Sequence, residues 1–366
     1  MSFLIILYFL ILLVSFFCKN SRLAIVLYMF VLFAYNTGNV DYDTYVEAFY
    51  SPAVRISSWE VGFVALMTFL NDSGFDISIL YTIVSFFYVV TVVYIAKDIT
   101  KNKINHFLFF FLISTFLLHV VQLRFSAALV FILWGFWILL KVRKKCVAVS
   151  LFILFILLAS CFHVLSVFFL IYLLPIICGV RKTYLISAIA MLFVLTGGVA
   201  IPSLFANNPL LFRITKLAGD YSISSANIVR FLGCLIEISL YLVMFRKIYK
   251  YQQCTNFSVT KKDSKLAEYN ANKDNFLSKI CYGFSIVNII LIPFILITSE
   301  MHRVLSVVNI VLLSFILYYS KIRQYKTFFY ICLFVITIVI SYCYIWGSMY
   351  DEFVFKPVLT NNSFLN

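Results

Sequence analysis

The sequence predicts an all-α polytopic membrane protein, and its composition and apolar runs carry that prediction. Hydrophobic residues make up 63% of the 366 residues and charged residues only 12%, whereas about a quarter of a soluble domain is charged. The mean hydropathy of +1.02 excludes an ordinary globular protein. Apolar runs such as Ile77–Ala96, Val304–Ser320 and Phe328–Trp346 recur along the chain, and a helix needs roughly 17–25 apolar residues to cross a bilayer.

The apolar runs predict about twelve transmembrane helices and one shorter segment. The predicted spans cover residues 3–18, 23–36, 76–96, 105–119, 124–140, 146–160, 162–178, 184–200, 228–245, 279–298, 304–320 and 327–346. The first run, Phe3–Phe17, has no basic region before it and no A-x-A-like cleavage site, which favours a span over a signal peptide. Trp59–Leu70 is too short to cross and is predicted to be re-entrant or to lie in the interface.

The distribution of positive charges predicts the orientation of these helices in the membrane, because the cytoplasmic loops of membrane proteins are rich in Lys and Arg. With the N-terminus outside, the predicted cytoplasmic loops hold 22 of the 29 basic residues and only four of the 15 acidic residues. If Trp59–Leu70 crossed fully, the loop with Lys97 and Lys103 would face the wrong side, which supports the re-entrant interpretation. Membrane topology thus explains the net charge of +14, and no nucleic-acid partner is expected.

The sequence predicts a single integral membrane domain over residues 1–366. Its parts include an outer loop at 37–58 with the re-entrant segment 59–70, an outer loop at 201–227 and a cytoplasmic loop at 247–278. That last stretch is polar and is interpreted as a solvated linker, with a docking role as the alternative. The nine cysteines show no C-x-x-C pair and no metal spacing. The chain has no P-loop, G-x-G-x-x-G or H-E-x-x-H motif, which argues against an ATP-driven pump and a membrane zinc protease.

Arginines make up most of the few basic residues on the predicted outer side, whereas the cytoplasmic basic residues are mostly lysines. The basic residues left there are Arg55, Arg124, Arg213, Lys216, Arg230, Arg303 and Lys356, and Arg is the side chain that binds phosphate in a bidentate manner. In Gln122-Leu-Arg124 the pattern places Arg124 in the first turn of a helix. A helix N-terminus already favours anions, so a cation there predicts a bound anion such as phosphate. The alternative is an Arg that caps the helix or snorkels to the interface.

Two further residues stand at the same predicted level. His163 lies between two apolar runs, opposite the break at Arg124, and is either functional or an ordinary interfacial histidine. Glu60 opens the short apolar segment. A charge near the apolar zone is costly and is therefore a functional candidate by default.

The outer loop before Glu60 suits carbohydrate. Its acids and aromatic rings interleave as Asp41, Tyr42, Asp43 and Tyr45. Carboxylates accept hydrogen bonds from sugar hydroxyls, and aromatic rings stack on sugar faces. The alternative is a polar loop with interfacial Tyr anchors.

Three other arginines have weaker signals. Arg213 lies in the loop 207–227, and Arg303 opens a predicted span at a tight outer hairpin. Arg230 and Glu237 are seven residues apart and therefore share one helix face. This pair is either a structural contact within the membrane or a contact to substrate.

Four short motifs follow one another along the chain. They are Asp41-Tyr42-x-x-Tyr45, Glu60-x-Gly62-Phe63, Gln122-x-Arg124-x-x-Ala127 and Phe162-His163. Together they resemble the EpsG family, Wzy-type polymerases of bacterial surface polysaccharide, over about residues 35–180, and Arg213 and Arg303 extend the resemblance. The family often has Pro after the Glu, Gln after the Arg and Ser two residues after the His. This chain has Val61, Phe125 and, three residues after the His, Ser166.

The resemblance implies a glycosyltransferase in the bacterial cytoplasmic (inner) membrane, with its active face outside and a fold similar to the GT-C type. Such polymerases join oligosaccharide repeat units carried on undecaprenyl diphosphate. Donor and acceptor are then both lipid-linked partners within the bilayer, and a co-polymerase that regulates chain length is a possible further partner.

The implied reaction assigns roles to the candidate residues. Arg124, Arg213 and Arg303 are predicted to bind the diphosphate, since fixed Arg donors stabilise the charge that builds on it. The candidates for the general base are Glu60, His163 and Asp41, in that order. The predicted glycan contacts are Tyr42, Asp43, Tyr45 and Gln122. No cofactor and no metal are expected, because arginine could replace a metal ion.

Three other functions compete with the polymerase. A flippase for lipid-linked oligosaccharides would carry charges along a central cavity and show related halves, whereas here the charges crowd one face and no internal repeat is found. A ligase or another lipid-dependent glycosyltransferase would share the chemistry. A non-catalytic assembly subunit is the third alternative.

Overall fold

The computed structural model describes residues 3–18, 20–51, 59–142, 144–197, 225–259, 265–297, 301–346 and 354–363. Within these ranges the regular structure is helical, and the β-type pairing is one isolated antiparallel bridge between Asn36 and Asn362. The all-α prediction is therefore confirmed for the part of the chain that the structure describes.

The helices follow the apolar runs closely. In chain order they are α1 Phe3–Phe17, α2 Arg22–Ala34, α3 Tyr42–Tyr50, α4 Val61–Asp72, α5 Ile77–Thr100, α6 Ile104–Phe111, α7 Leu117–Val121, α8 Leu123–Lys141, α9 Lys145–Ser160, α10 Leu174–Ile177, α11 Val180–Gly197, α12 Ser225–Val259, α13 Lys265–Ile297, α14 Met301–Tyr319, α15 Lys326–Ser341 and α16 Lys356–Thr360. Val164–Leu173 is a ten-residue 3-10 helix, and Leu112–Phe116 is a π-helical turn between α6 and α7.

Six described helical stretches are long and apolar enough to cross a membrane. They are Ile77–Val121, Leu123–Lys141, Ile228–Cys254, Asp274–Ile295, Met301–Tyr319 and Arg323–Ile345. The stretch Ile77–Val121 is divided into α5 and α6 at Lys101, whose backbone has a positive φ of 57°. Shorter apolar helices of 10–17 residues accompany them, including Val61–Asp72, which matches the predicted short segment. The structure thus supports a helical membrane protein, while about twelve spans, a re-entrant path and a GT-C architecture stay predictions.

The first of two compact units comprises Met1–Leu170, Leu313–Lys321 and Leu333–Asn366. In it α5 packs against α2 and α8, and α8 packs against α9. Aromatic rings form these contacts: Phe33 lies 5.4 Å from Tyr88, and Phe136 lies 5.4 Å from Phe152. Because lipid is as apolar as the side chains, close packing and hydrogen bonds hold helices together in a bilayer.

The second unit comprises Ile171–Leu312 and Ile322–Cys332. Here α12 and α13 pack along each other, and α11 packs against α13. Gly283 of α13 lies so close to Pro175 that a Cβ on it would come within 2.4 Å of the proline ring. A larger residue would therefore push these two segments apart.

Two predicted segments differ from the observed structure. The stretch 247–278, interpreted as a solvated linker, continues the helices instead: α12 runs to Val259 and α13 begins at Lys265. Tyr249 stacks on Tyr282 at 5.9 Å, so the two helices pack against each other where this stretch begins. The predicted span 162–178 begins not as an α-helix but as the tighter 3-10 helix that follows His163.

Candidate active site

The charged centre of the first unit is an ion pair between Glu60 and Arg124. Nη1 of Arg124 lies 3.0 Å from Oε2 of Glu60, and the two side chains are only 9% and 26% exposed, with Glu60 the more buried. The two residues are 64 positions apart in the sequence. Because both groups are largely withdrawn from water, their attraction is stronger than that of a surface pair.

A break between α7 and α8 positions Arg124. Gln122 has φ of −102° and ψ of 69°, and the carbonyl of His119 accepts the N–H of Gln122 (3.2 Å) and the hydroxyl of Ser126 (2.7 Å). Arg124 therefore falls in the first turn of α8, as the sequence predicts. The Glu60 carboxylate supplies a negative charge at this helix N-terminus, which offsets the unfavourable approach of a cation to the helix dipole. The predicted phosphate stays a prediction.

Two aromatic residues hold Arg124 in place. Its guanidinium carbon lies 4.5 Å from the ring centroid of Trp59, which is a cation–π contact. The Tyr45 ring lies 5.3 Å from Trp59, and its hydroxyl accepts the backbone N–H of Arg124 at 3.4 Å. Burial raises the pKa of Tyr45, so this hydroxyl keeps its proton at neutral pH.

Glu60 also bridges the start of α4 to the turn at 161–164. Its Oε1 accepts the backbone N–H of Val164 at 3.1 Å. The N–H groups of Gly62 and Phe63 both donate to the carbonyl of Cys161, at 2.7 and 3.3 Å. A Cβ on Gly62 would come within 2.8 Å of that carbonyl oxygen, so glycine permits the close approach. The two oxygens of Glu60 are thus fixed in different directions.

His163 lies at this same turn. It is 6% exposed, and its ring meets Phe125, the neighbour of Arg124, edge-on at 5.2 Å. In the 3-10 helix that follows, residues three apart share a face, and the N–H of Ser166 donates to the carbonyl of His163 at 3.0 Å. The spacing of three residues between His163 and Ser166 therefore suits the winding of the chain here.

Three polar atoms of these segments are buried and have no hydrogen-bond partner among the described residues. They are Oε1 of Gln122, Nε of Arg124 and Oγ of Ser166. Buried polar groups are nearly always bonded, and an unbonded one costs about 1–3 kcal/mol. The Glu60–Arg124 pair and the Phe125–His163 contact bring the three segments together, so these atoms are available to water or to a polar ligand.

The acidic and aromatic loop residues begin α3. The backbone N–H of Asp41 donates to Oδ1 of Asn39 at 3.1 Å, and the charge of Asp41 acts on the hydroxyl of Tyr45. The Tyr42 ring lies 5.5 Å from Tyr81. Asp43 is exposed in the first turn of the helix. Among the four predicted loop residues, Tyr45 contacts Arg124 directly.

The other predicted arginines lie elsewhere in the chain. Arg213 is outside the described residues. Arg303 lies in the first turn of α14, in the second unit, and its carbonyl accepts the hydroxyl of Ser306 at 2.7 Å. Glu237 of α12 is 2% exposed and accepts a hydrogen bond from Nδ2 of Asn309. The diphosphate roles of Arg213 and Arg303 are therefore proposals.

Sequence reasoning missed two contributors to the site. Trp59 stacks on Arg124, and the only local signal was its position directly before Glu60. His119 shapes the break before Arg124 and contacts the Tyr88 hydroxyl through Nδ1 at 2.7 Å. In the described part of the chain, no group of three or more His, Cys, Asp or Glu side chains is placed to hold a metal ion.

Apolar helices of membrane-spanning length, together with a largely buried carboxylate–guanidinium pair in the first unit, are the features of an integral membrane protein with a polar site. The sequence model of the EpsG family matches residues 19–357, and the chain therefore belongs to the EpsG family. Membership suggests a membrane protein similar to polysaccharide polymerases. Neither a curated protein nor a solved structure matches this chain.

Proposed function

We propose that this protein joins oligosaccharide repeat units, carried on undecaprenyl diphosphate, into surface polysaccharide at the outer leaflet of the bacterial cytoplasmic membrane. Membership of the EpsG family supports a polymerase of the glycosyltransferase kind. The observation that carries the proposal is the Glu60–Arg124 pair, because it holds a base and a phosphate ligand 3.0 Å apart.

The proposed reaction makes two chemical demands. The acceptor hydroxyl oxygen forms a bond to the anomeric carbon of the donor sugar, and the bond from that carbon to the diphosphate oxygen breaks. The bonding electrons leave with the lipid diphosphate, while the hydroxyl proton passes to a general base. Arg124 stabilises the charge that develops on the leaving group, since its position is already fixed by Trp59.

The ion pair provides a way to activate the base only when donor is bound. Nε of Arg124 has no partner in the described chain, so it is open to a phosphate oxygen. When the diphosphate takes over Arg124, Oε2 of Glu60 is released to accept the proton of the acceptor hydroxyl. Its Oε1 stays bonded to the N–H of Val164, which keeps the carboxylate in position.

The remaining candidates have supporting roles in this proposal. His163 and Asp41 are the other possible bases. Arg213 and Arg303 are further diphosphate ligands. The proposed glycan contacts are Tyr42, Asp43, Tyr45 and Gln122; Tyr45 is 4% exposed, which leaves little of its surface open to a sugar.

The test is polymer length in cells that depend on this protein. We expect Arg124→Ala and His163→Ala to abolish long polymer on a gel of lipid-linked glycan while the protein reaches normal membrane levels. Arg181→Ala is the matched control, because Arg181 is exposed in α11, and it should leave the polymer unchanged. Long polymer with both site variants would refute the assignment.

The glycan that accumulates in cells without the protein separates the alternatives. A polymerase predicts single repeat units on lipid outside the membrane, whereas a flippase predicts that they stay inside. A ligase predicts normal polymer that is not transferred to its final acceptor.

A further inference from the structure

The last described segment of the chain, residues 354–363, pairs with the loop between α2 and α3. We call this segment the C-terminal strap. Asn36 and Asn362 form the antiparallel bridge of the described structure. On either side of it, the N–H of Thr37 donates to the carbonyl of Asn361 at 3.1 Å, and the N–H of Ser363 donates to the carbonyl of Tyr35 at 2.9 Å. The strap therefore pairs with the loop through its backbone.

Side-chain amides reinforce this pairing. Nδ2 of Asn36 donates to the carbonyl of Val358 at 3.3 Å, and Nδ2 of Asn362 donates to the carbonyl of Val31 at 3.1 Å. Asn36 and Asn362 are 1% and 0% exposed. Because a buried amide that loses its partner costs about 1–3 kcal/mol, these bonds fix the strap at one register.

Gly38 shows how closely the strap is seated. A Cβ at Gly38 would lie 2.0–2.4 Å from side-chain atoms of Asn361, including the Cβ of Asn361 at 2.1 Å. Rotation about the side-chain bonds of Asn361 cannot move its own Cβ. A methyl group at Gly38 must therefore displace the strap or the loop.

A short chain of contacts connects the strap with the charged centre. Asn36, held by the strap, accepts the Nδ2 of Asn39 at 2.7 Å, and Oδ1 of Asn39 accepts the N–H of Asp41 at 3.1 Å. Asp41 is the residue directly before α3, and Tyr45 of α3 accepts the N–H of Arg124. Every residue in this series belongs to the first unit.

We infer that Asn36, Asn362 and Gly38 are positioning residues, through which the C-terminal strap sets the start of α3 and thereby the placement of Asp41 and of Tyr45 against Arg124. This inference rests on the proposed polymerase function. It adds a distant segment of the chain, separated by more than 300 residues in sequence, to the machinery that orients the site.

Cross-linking tests the seating of the strap without reference to activity. The bonds on either side of Asn36 and Asn362 make them a non-hydrogen-bonded antiparallel pair, whose Cα atoms are typically about 4.5 Å apart, within the range that a disulfide bridges. In the full-length protein in membranes, Asn36→Cys with Asn362→Cys should yield a linked peptide by mass spectrometry after mild oxidation. Asn36→Cys with Ser363→Cys is the control, since its second thiol faces the other way. No linkage, or equal linkage in the control, would overturn the inference.

A compensating pair of variants tests the positioning role. We expect Gly38→Ala to lower the rate of polymer growth by up to about 100-fold, the scale of a 1 Å displacement of reacting groups, at a normal membrane level. Asn361→Gly removes the Cβ that the added methyl group would meet, so the double variant should recover most of the rate, and Asn361→Gly alone should stay near wild type.

The outcomes separate this inference from the proposed function. An unchanged rate in Gly38→Ala, or a double variant as slow as Gly38→Ala, overturns the positioning role. A lowered membrane level of Gly38→Ala that Asn361→Gly restores also overturns it, because the strap would then only stabilise the fold. Failure of the proposed function has a different signature, since the wild-type protein itself would then make no polymer from lipid-linked repeat units.

Discussion

Each of the two units contains a carboxylate withdrawn from water, and the two carboxylates have different hydrogen-bonding partners. In the first unit Glu60 faces Arg124, whose side chain is still 26% exposed, and Glu60 also accepts one backbone N–H. In the second unit Glu237 is 2% exposed and accepts a hydrogen bond from the side-chain amide of Asn309. The charge of Glu237 also acts on the hydroxyls of Tyr172 and Tyr241. Glu60 thus pairs with a cation that has a further N–H donor, whereas the neighbours of Glu237 are an amide and two phenol rings.

This difference separates a carboxylate that can change its partner from one that is held in place by its surroundings. An ion pair at a partly exposed position can exchange its partner for a charged ligand. A fully buried acid held by an amide on a neighbouring helix serves packing, because polar bonds between helices are a main source of cohesion within a bilayer. On this comparison we propose that Glu60 is the reactive carboxylate and that Glu237 serves the packing of its helices.

The largest expected effect comes from neutralising each acid in turn. Glu60→Gln should slow polymer growth by about 10²–10⁴-fold, the usual contribution of a general base. Glu237→Gln should stay close to wild type, because the Gln carbonyl still accepts the amide of Asn309. The rate of polymer growth from lipid-linked repeat units in proteoliposomes measures both. A larger loss in Glu237→Gln than in Glu60→Gln would reverse our assignment.

A second prediction concerns the stability of the second unit. Asn309→Leu removes the donor to Glu237 and leaves a buried carboxyl group without it, so we expect a loss of about 1–3 kcal/mol. Thermal unfolding in detergent should show a lower midpoint. The matched double variant, Glu237→Leu with Asn309→Leu, should recover part of the loss, since it leaves no buried acid. Equal destabilisation by the single and double variants would contradict this account.

The smallest expected effect comes from changing Trp59, whose ring contacts the guanidinium of Arg124. Trp59→Phe keeps an aromatic face but weakens the cation–π contact, by about 0.5–1 kcal/mol, which corresponds to a roughly two- to fivefold slower polymer growth. Trp134→Phe is the control, because Trp134 packs on Tyr94 at 5.4 Å and should leave the rate unchanged. Equal losses in both variants would show that bulk, not charge, matters at Trp59.

Local patterns predicted much of this site. The interruption before Arg124 and the short apolar helix after Glu60 both follow from the order of polar and apolar residues. The pattern also predicted a bound anion such as phosphate at Arg124, which stays a prediction. It could not indicate the contact with Glu60, because a contact across 64 residues leaves no periodic signal in the sequence.

The remaining differences have the same physical origin. The extension of α12 and α13 into a polar stretch is accompanied by the contact of Tyr249 with Tyr282, which no local propensity reports. The strap depends on backbone bonds between residues near opposite ends of the chain, such as Thr37 and Asn361. In both cases tertiary partners, rather than composition, decide the structure.

The 3-10 winding after His163 changes how far a few residues reach. A 3-10 helix rises about 2.0 Å per residue and an α-helix about 1.5 Å. The ten residues of Val164–Leu173 therefore extend about 20 Å, where an α-helix of the same length would extend about 15 Å. A hydropathy window that counts residues consequently underestimates the thickness of bilayer that this segment can traverse.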